Sequence, residues 1–230
     1  MTDNENPNAG HRERLKERFR KAGLDGFHDY EAVELVLSFA IPRRDVKPAA
    51  KALIKKFKGL RGVFDAPVEE LKEVKGVGEN AALLLKLLKE VAGEYLKERI
   101  IGRDVVRSPA EVIEFLNLKL SGERVEKFIA VYLNSKNEVL AVDTLHEGTI
   151  DQTLVYPRKA IENAFKHNAR SVIFVHNHPS GDPKPSQRDR KLTMDLESAA
   201  RAVDIIVHDH IIIGRDSHVS GRDLGWFRGR

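Results

Sequence analysis

The stretch SVIFVHNHPSGDPKPSQRD, residues 171–189, decides how the chain is read. Ser171 to Val175 is a short apolar run rich in β-branched residues, the pattern of a buried strand. Pro179, Gly181, Pro183 and Pro185 then break any regular element. From Ser186 to Ala202 the apolar positions recur at helical spacing, and Ile205 to Ile213 returns to a strand. Strand, loop, helix and strand in this order predict a layered α/β fold.

Working upstream, Phe128 to Leu133 and Val139 to Leu145 read as strands around the turn Asn134-Ser135-Lys136-Asn137, and a helix opened by Pro157 runs to about His167. The predicted order is ββαβαβ. Before Gly102 the alternation disappears. Leu15, Phe19 and Ala22 mark one helix, Ala32, Leu35, Val36 and Phe39 a second that Pro42 ends, and Pro48 to Phe57 a third. A short helix carrying Leu71 and Val74 follows Pro67. Gly76-Val77-Gly78 interrupts, and a long helix resumes from Glu79 to about Lys97. The reading is therefore an α+β two-domain chain: residues 1–101 all-α with a helix-hairpin-helix-like turn, and residues 102–230 an α/β layer with a mixed sheet.

Composition narrows the functions. The 230 residues are 41% hydrophobic and 32% charged, enough for a core and against wholesale disorder. No apolar run approaches the roughly 18 to 20 residues of a membrane helix. The opening MTDNENPNAG has no basic segment followed by an apolar one, so a cytoplasmic protein with no membrane partner is expected. With no cysteine, any metal must be held by His, Asp or Glu. The net charge of +4 is too small to imply nucleic-acid binding without clustering. One cluster exists, Arg43, Arg44, Lys47, Lys51, Lys55, Lys56 and Lys58 against the single Asp45. Ala52, Leu53 and Phe57 interleave with its lysines, as on the solvated face of an ordinary helix.

His176 and His178 are two apart, so a strand that persists past Val175 presents both imidazoles on one side. Asp189 falls in the first turn of the next helix, where its carboxylate can complete a three-ligand site with a fourth position open for water. Such an open site is catalytic rather than structural. Two imidazoles and a carboxylate suit one Zn²⁺ per chain best, with Mn²⁺ and Fe²⁺ as alternatives. Zinc would bring the pKa of a bound water to roughly 7. Taken alone, Ser186 with Asp189 three residues on is a capping box. Capping by itself leaves Asp189 toward solvent, whereas ligation turns it inward.

At these residues the chain resembles the JAMM (MPN-plus, JAB) metalloproteases, whose motif is an upstream Glu followed by His-x-His-x(7)-Ser-x(2)-Asp. The fuller string HNHPSGDPKPS, with the preceding EGT and YPR, resembles the RadC family, historically named for DNA repair. The resemblance covers most of the chain. It implies a JAB/MPN, cytidine-deaminase-like layered domain and a zinc-dependent peptidase or isopeptidase. It further implies that His176, His178 and Asp189 bind the metal, that Ser186 holds the developing oxyanion, and that an upstream glutamate moves the proton. Glu147, in His146-Glu147-Gly148-Thr149, is the choice for that glutamate, and Glu138 the fallback. His208 and His210 around Asp209 repeat the His-x-His spacing, but no spaced acid follows them. They are read as strand residues, with a supporting role open to Asp209 or His210.

In the helical half, Val74-Lys75-Gly76-Val77-Gly78 resembles a helix-hairpin-helix. Lys75, Gly76 and Gly78 are its candidate contacts to DNA phosphates, without base readout. Glu73 and Glu79 flank the loop and partly cancel its charge. The alternatives to a peptidase acting on a protein or peptide are a nuclease using the same metal and a non-catalytic DNA-binding repair accessory.

Overall fold

The computed structural model describes residues 9–107, 109–148 and 157–227. Thr149 and Tyr156, from the EGT and YPR strings, lie outside the described residues. The chain divides into two compact units, Met1–Val91 and Ala92–Arg230. The division falls inside a helix, earlier than the change of pattern at Gly102.

The first unit is helical: α1 (Ala9–Ala22), α2 (Asp29–Ala40), α3 (Lys47–Phe57), α4 (Leu60–Asp65), α5 (Val68–Lys72) and the start of α6 (Glu79–Ile100). Its core gathers Val33, Leu37, Ala50, Leu53, Val63, Leu71, Ala82 and Leu85. Residues four apart lie on one helix face, so Val33 and Leu37 bury together. Sequence periodicity did not reveal α4. It has barely more than one turn, and it is set off by left-handed Lys58 (φ 63°) and by Gly59 (φ 128°). The Gly76 turn between α5 and α6 has φ 94°, a left-handed conformation that favours glycine. A Cβ there would also meet the Cβ of Ala49 at 3.5 Å. The turn carries Val74 and Val77 into the core, where both are buried.

The second unit adds α7 (Pro109–Leu120), β1 (Lys127–Leu133), β2 (Val139–Glu147), α8 (Pro157–Lys166), β3 (Ser171–Asn177), α9 (Gln187–Arg201), β4 (Ile206–Ile213) and β5 (His218–Ser220). Among the described residues the strands form a five-stranded mixed sheet in the order β2-β1-β3-β4-β5. β1 is antiparallel to both neighbours, β3 and β4 are parallel through the α9 crossover, and β5 returns antiparallel. One face packs Ile129, Val131, Ile173, Val175, Ile211 and Ile213 against Val112, Phe115, Leu116 and Leu120 of α7. The other packs Phe128, Ala130, Tyr132, Val172 and Phe174 against Ala160 and Ala164 of α8 and Leu192 and Leu196 of α9. With both faces covered, every residue of β3 is buried, which explains its unbroken apolar run. Each large side chain so buried stabilises by about 1.5–3 kcal/mol. Helix α7 and strand β5 were not anticipated from the sequence.

Among the described residues, no helix is long and apolar enough to cross a membrane.

Candidate metal centre

Strand β3 runs on from its apolar stretch through Asn177, so His176 lies inside the sheet and His178 just past its end. The backbone N–H of His178 still donates to the Ile213 carbonyl at 2.9 Å, which keeps the strand direction across the residue. The two Nε2 atoms stand 3.0 Å apart. The loop that follows returns over the end of β4, where Arg215 N–H donates to the Gly181 carbonyl at 2.9 Å. Gly214 permits that approach, since a Cβ on it would fall 2.6 Å from the Gly181 oxygen. Ser186 then caps α9, which delivers Asp189 to the histidines. Asp189 Oδ1 lies 3.3 Å from His176 Nε2, and Oδ2 lies 3.5 Å from His178 Nε2.

The capping box and the ligand reading describe one geometry. Ser186 N–H donates to Asp189 Oδ2 at 2.6 Å and Asp189 N–H donates to Ser186 Oγ at 3.2 Å. Yet the Asp189 side chain is only 12% exposed and faces both imidazoles. The expectation that capping alone turns this carboxylate to solvent is corrected: the cap fixes the carboxylate, and the two oxygens serve the helix end and the histidines together. Burial raises the Asp189 pKa, but the His176 and His178 imidazoles beside the carboxylate outweigh it and hold the group far below the usual carboxylate range. The Asp189 carboxylate in turn raises the pKa of His178, against the opposing effect of burial.

The donor set suits a cation. His178 Nδ1 lies 2.8 Å from the Asp182 carbonyl, which can only accept, so Nδ1 carries hydrogen and the neutral ring presents the lone pair of Nε2. Ligand atoms of His176, His178 and Asp189 all lie within 4.8 Å of one another. Imidazole nitrogens and a carboxylate gathered this closely could hold a divalent ion such as zinc.

Behind His176, Nδ1 lies 2.8 Å from Nε2 of His210. Thr193 Oγ1 bonds Nδ1 of His210 on one side and the Asp189 carbonyl, at 2.6 Å, on the other. Full burial pushes the His210 pKa well below its ordinary value. Thus His210, one member of the second His-x-His pair, adjoins the centre. Its companions do other work: His208 Nε2 bonds Asn137 Oδ1 at 2.8 Å, and Asp209 accepts from Ser220 Oγ at 2.6 Å and from the Arg222 N–H at 2.9 Å.

The glutamates fall in three places. Glu138 binds Asn134 Nδ2 at 2.6 Å in the β1–β2 turn, at the end of the sheet away from His176. Glu147 pairs across from Lys127, is 58% exposed at its side chain, and lies 3.4 Å from Lys127 Nζ. It lies outside the group formed by His176, His178 and Asp189. Glu126 is an acid that the sequence reading did not weigh. The β1–β3 register closes on the pair Phe128 with His176, and Glu126 stands one residue before β1 at that same end of the sheet. The rings of Phe128 and His176 stack there at 6.0 Å. The Glu126 charge acts on His178. Asn177 secures that segment: its Oδ1 accepts from Lys127 N–H at 2.7 Å and its Nδ2 donates to Val125 O at 3.1 Å. The signal in the sequence was a lone acid at the threshold of β1, distant from the His-x-His motif and visible only through strand pairing.

In the first unit, Lys75 is exposed while Gly76 and Gly78 shape the turn between α5 and α6. Glu73 pairs with Lys56 at 2.7 Å and Glu79 with Lys72 at 2.6 Å. Lys47 and Lys51 lie over the Tyr30 ring, at 5.8 and 4.9 Å from its centroid. A family model described as RadC-like JAB domain matches residues 106–226, just over half of the chain.

Proposed function

The chain belongs to the RadC-like JAB domain family, and from that premise we propose that its second unit is a zinc-dependent hydrolase of the JAMM type that cleaves an amide bond. The observation that carries this reading is the convergence of His176, His178 and Asp189 on one point. A divalent ion held by these three residues would supply Lewis acidity and bring the pKa of a water to roughly 7.

The chain's own groups divide the remaining work. Glu126, just before β1 at the sheet end of the two histidines and acting by its charge on His178, takes the proton of the attacking water at a carboxylate oxygen and returns it to the leaving amine. This reading prefers Glu126 to Glu147, because Glu147 is directed to Lys127 and solvent. Ser186 Oγ accepts from the Asp189 N–H, so its own hydrogen remains to donate to the developing oxyanion. Asp189 holds its position through the cap and so keeps the carboxylate toward the imidazoles. The substrate is an isopeptide- or peptide-linked protein. The test assays isopeptide-linked proteins and DNA side by side, with Glu126→Gln and Glu147→Gln as controls. Amide cleavage abolished by Glu126→Gln supports the proposal. Cleavage of DNA alone would move the site to a nuclease, and turnover surviving both changes would expose a contaminant.

A second reading concerns the first unit, as a module that contacts DNA without reading its sequence. The acids beside the glycine turn pair with Lys56 and Lys72. Lys75, Arg43 and Arg44 form no ion pair among the described residues. Arg43 and Arg44 line a cleft of about 530 Å³ with Gly76, Gly78 and Asn80 at the start of α6. Phosphate contacts of this kind weaken steeply with salt.

A further inference from the structure

The hydrogen bonds behind His176 can be given a direction from one end. Thr193 Oγ1 lies 2.6 Å from the carbonyl oxygen of Asp189, and a carbonyl only accepts. The hydroxyl therefore spends its single hydrogen there. Its contact with His210 must run the other way, with Nδ1–H of His210 donating to Thr193 Oγ1. His210 is 0% exposed, among the rings of Phe128, Phe174 and Trp226, so it is held neutral. A neutral ring with hydrogen on Nδ1 has a bare Nε2, and that atom meets His176 Nδ1 at 2.8 Å. His176 must then donate from Nδ1. In the neutral ring Nε2 is then the lone pair, and it is aimed at His178 and Asp189.

The geometry points to Thr193 and His210 as positioning residues that fix the tautomer of His176 and thereby set how tightly the centre holds its cation. The inference rests on the metal-centre reading above. The relay begins at the carbonyl of Asp189, whose own carboxylate is the third ligand, so the helix turn Asp189–Thr193 couples two ligands through one hydroxyl. Without that hydroxyl, Nδ1 of His210 has no required role. The ring can then place its hydrogen on Nε2, which drives the His176 hydrogen to the atom that should ligate. A buried His210 that served only packing would show no such dependence.

The experiment compares Zn²⁺ affinity, by chelator competition, for wild type, Thr193→Val and Thr193→Ser, with the imidazole tautomers of the zinc-free protein read by long-range ¹H–¹⁵N correlation at neutral pH. Thr193→Val keeps the shape and removes both hydrogen-bonding roles, so affinity should fall by roughly ten- to a hundredfold. Thr193→Ser should restore it. In wild type His176 should carry hydrogen on Nδ1, and in Thr193→Val the Nε2–H form should emerge. Wild-type affinity in folded Thr193→Val overturns the inference. So does an Nε2–H tautomer of His176 in the wild type, which decides the matter even where Thr193→Val fails to fold. A wild type that binds no zinc overturns the hydrolase reading and this inference with it, whereas zinc binding that Thr193→Val leaves unchanged overturns the inference alone.

Discussion

Asp189 Oδ1 lies 3.3 Å from His176 Nε2 while Asp189 Oδ2 accepts the Ser186 backbone N–H at 2.6 Å. The carboxylate that caps the helix is thus the one that could ligate a cation, and the cap fixes where it stands. A carboxylate on an unrestrained rotamer would lose side-chain entropy when it ligated, whereas the cap has already immobilised this one. Folding of α9 therefore prepares the centre before any cation arrives.

Metal analysis of purified protein checks the centre directly. Wild type should carry one zinc per chain, and His176→Ala and Asp189→Asn should carry none. Because an ion that binds only the folded state stabilises it, zinc at a hundredfold excess over its dissociation constant should add about 2.7 kcal/mol to wild type. The same addition should leave the melting of His176→Ala unmoved. A wild type whose melting ignores zinc would remove the centre.

Kinetics separate the glutamates. Glu126→Gln should reduce kcat by roughly 10²- to 10⁴-fold with the fold intact, the usual contribution of a general base. Glu147→Gln, which loses a largely exposed contact with Lys127, should stay near wild type. The reverse order would return the role to Glu147. Ser186→Ala should reduce kcat by roughly 10²- to 10³-fold and also cost about 1 kcal/mol of stability through the lost cap.

The comparison of Glu126 with the histidines shows where sequence legibility stops. His176, His178, Ser186 and Asp189 lie within one strand–loop–helix, where local periodicity and capping rules fix which side chains converge. Glu126 is brought to the His176 end of the sheet only by the pairing of β1 with β3, a long-range register that local spacing does not show. The bulge between Phe128 and Ile129 interrupts the alternation along β2 before Glu147, whose choice rests only on its place at the strand end in His146-Glu147-Gly148-Thr149. Helix α7 was missed for a different reason. Val112, Ile113, Phe115, Leu116, Leu118 and Leu120 leave little polar contrast, so the stretch reads neither as a clean amphipathic helix nor as a strand. The strands and helices from Phe128 to Ile213 were legible because β-branched runs alternate with capped helical periods.

The two glycines of the α5–α6 turn should respond differently to alanine. Gly76 has φ 94°, so Gly76→Ala strains the backbone and should lower stability by about 1 kcal/mol or more. A Cβ on Gly78 meets nothing within 4 Å, and Gly78→Ala should fold normally. Fluorescence anisotropy with duplex DNA at two salt concentrations then tests the second reading. Replacing Arg43, Arg44 and Lys75 by alanine should weaken binding and flatten its salt dependence. Equal affinity for wild type and the triple variant would leave Gly76 with a purely architectural role.

Acid stability offers a test that is independent of any ligand. Glu31 accepts from Arg18 Nη1 at 2.8 Å and from the His28 N–H at 3.0 Å. The Arg18 hydrogen bond, acting against burial, lowers its pKa to about 2. A carboxyl whose folded pKa lies below its unfolded value, near about 4.3, contributes stability that is fully present above that value. The contribution is lost as pH falls from about 4.3 toward about 2, where Glu31 takes a proton in both states. Thermal unfolding of wild type and Glu31→Gln across pH 7 to 2 should therefore converge over that window, and salt should shrink their difference because Arg18 is 46% exposed at its side chain. All other carboxylates are common to both proteins, so the difference curve isolates this one. Parallel curves down to pH 2 would show that the ion pair does not hold Glu31 ionised.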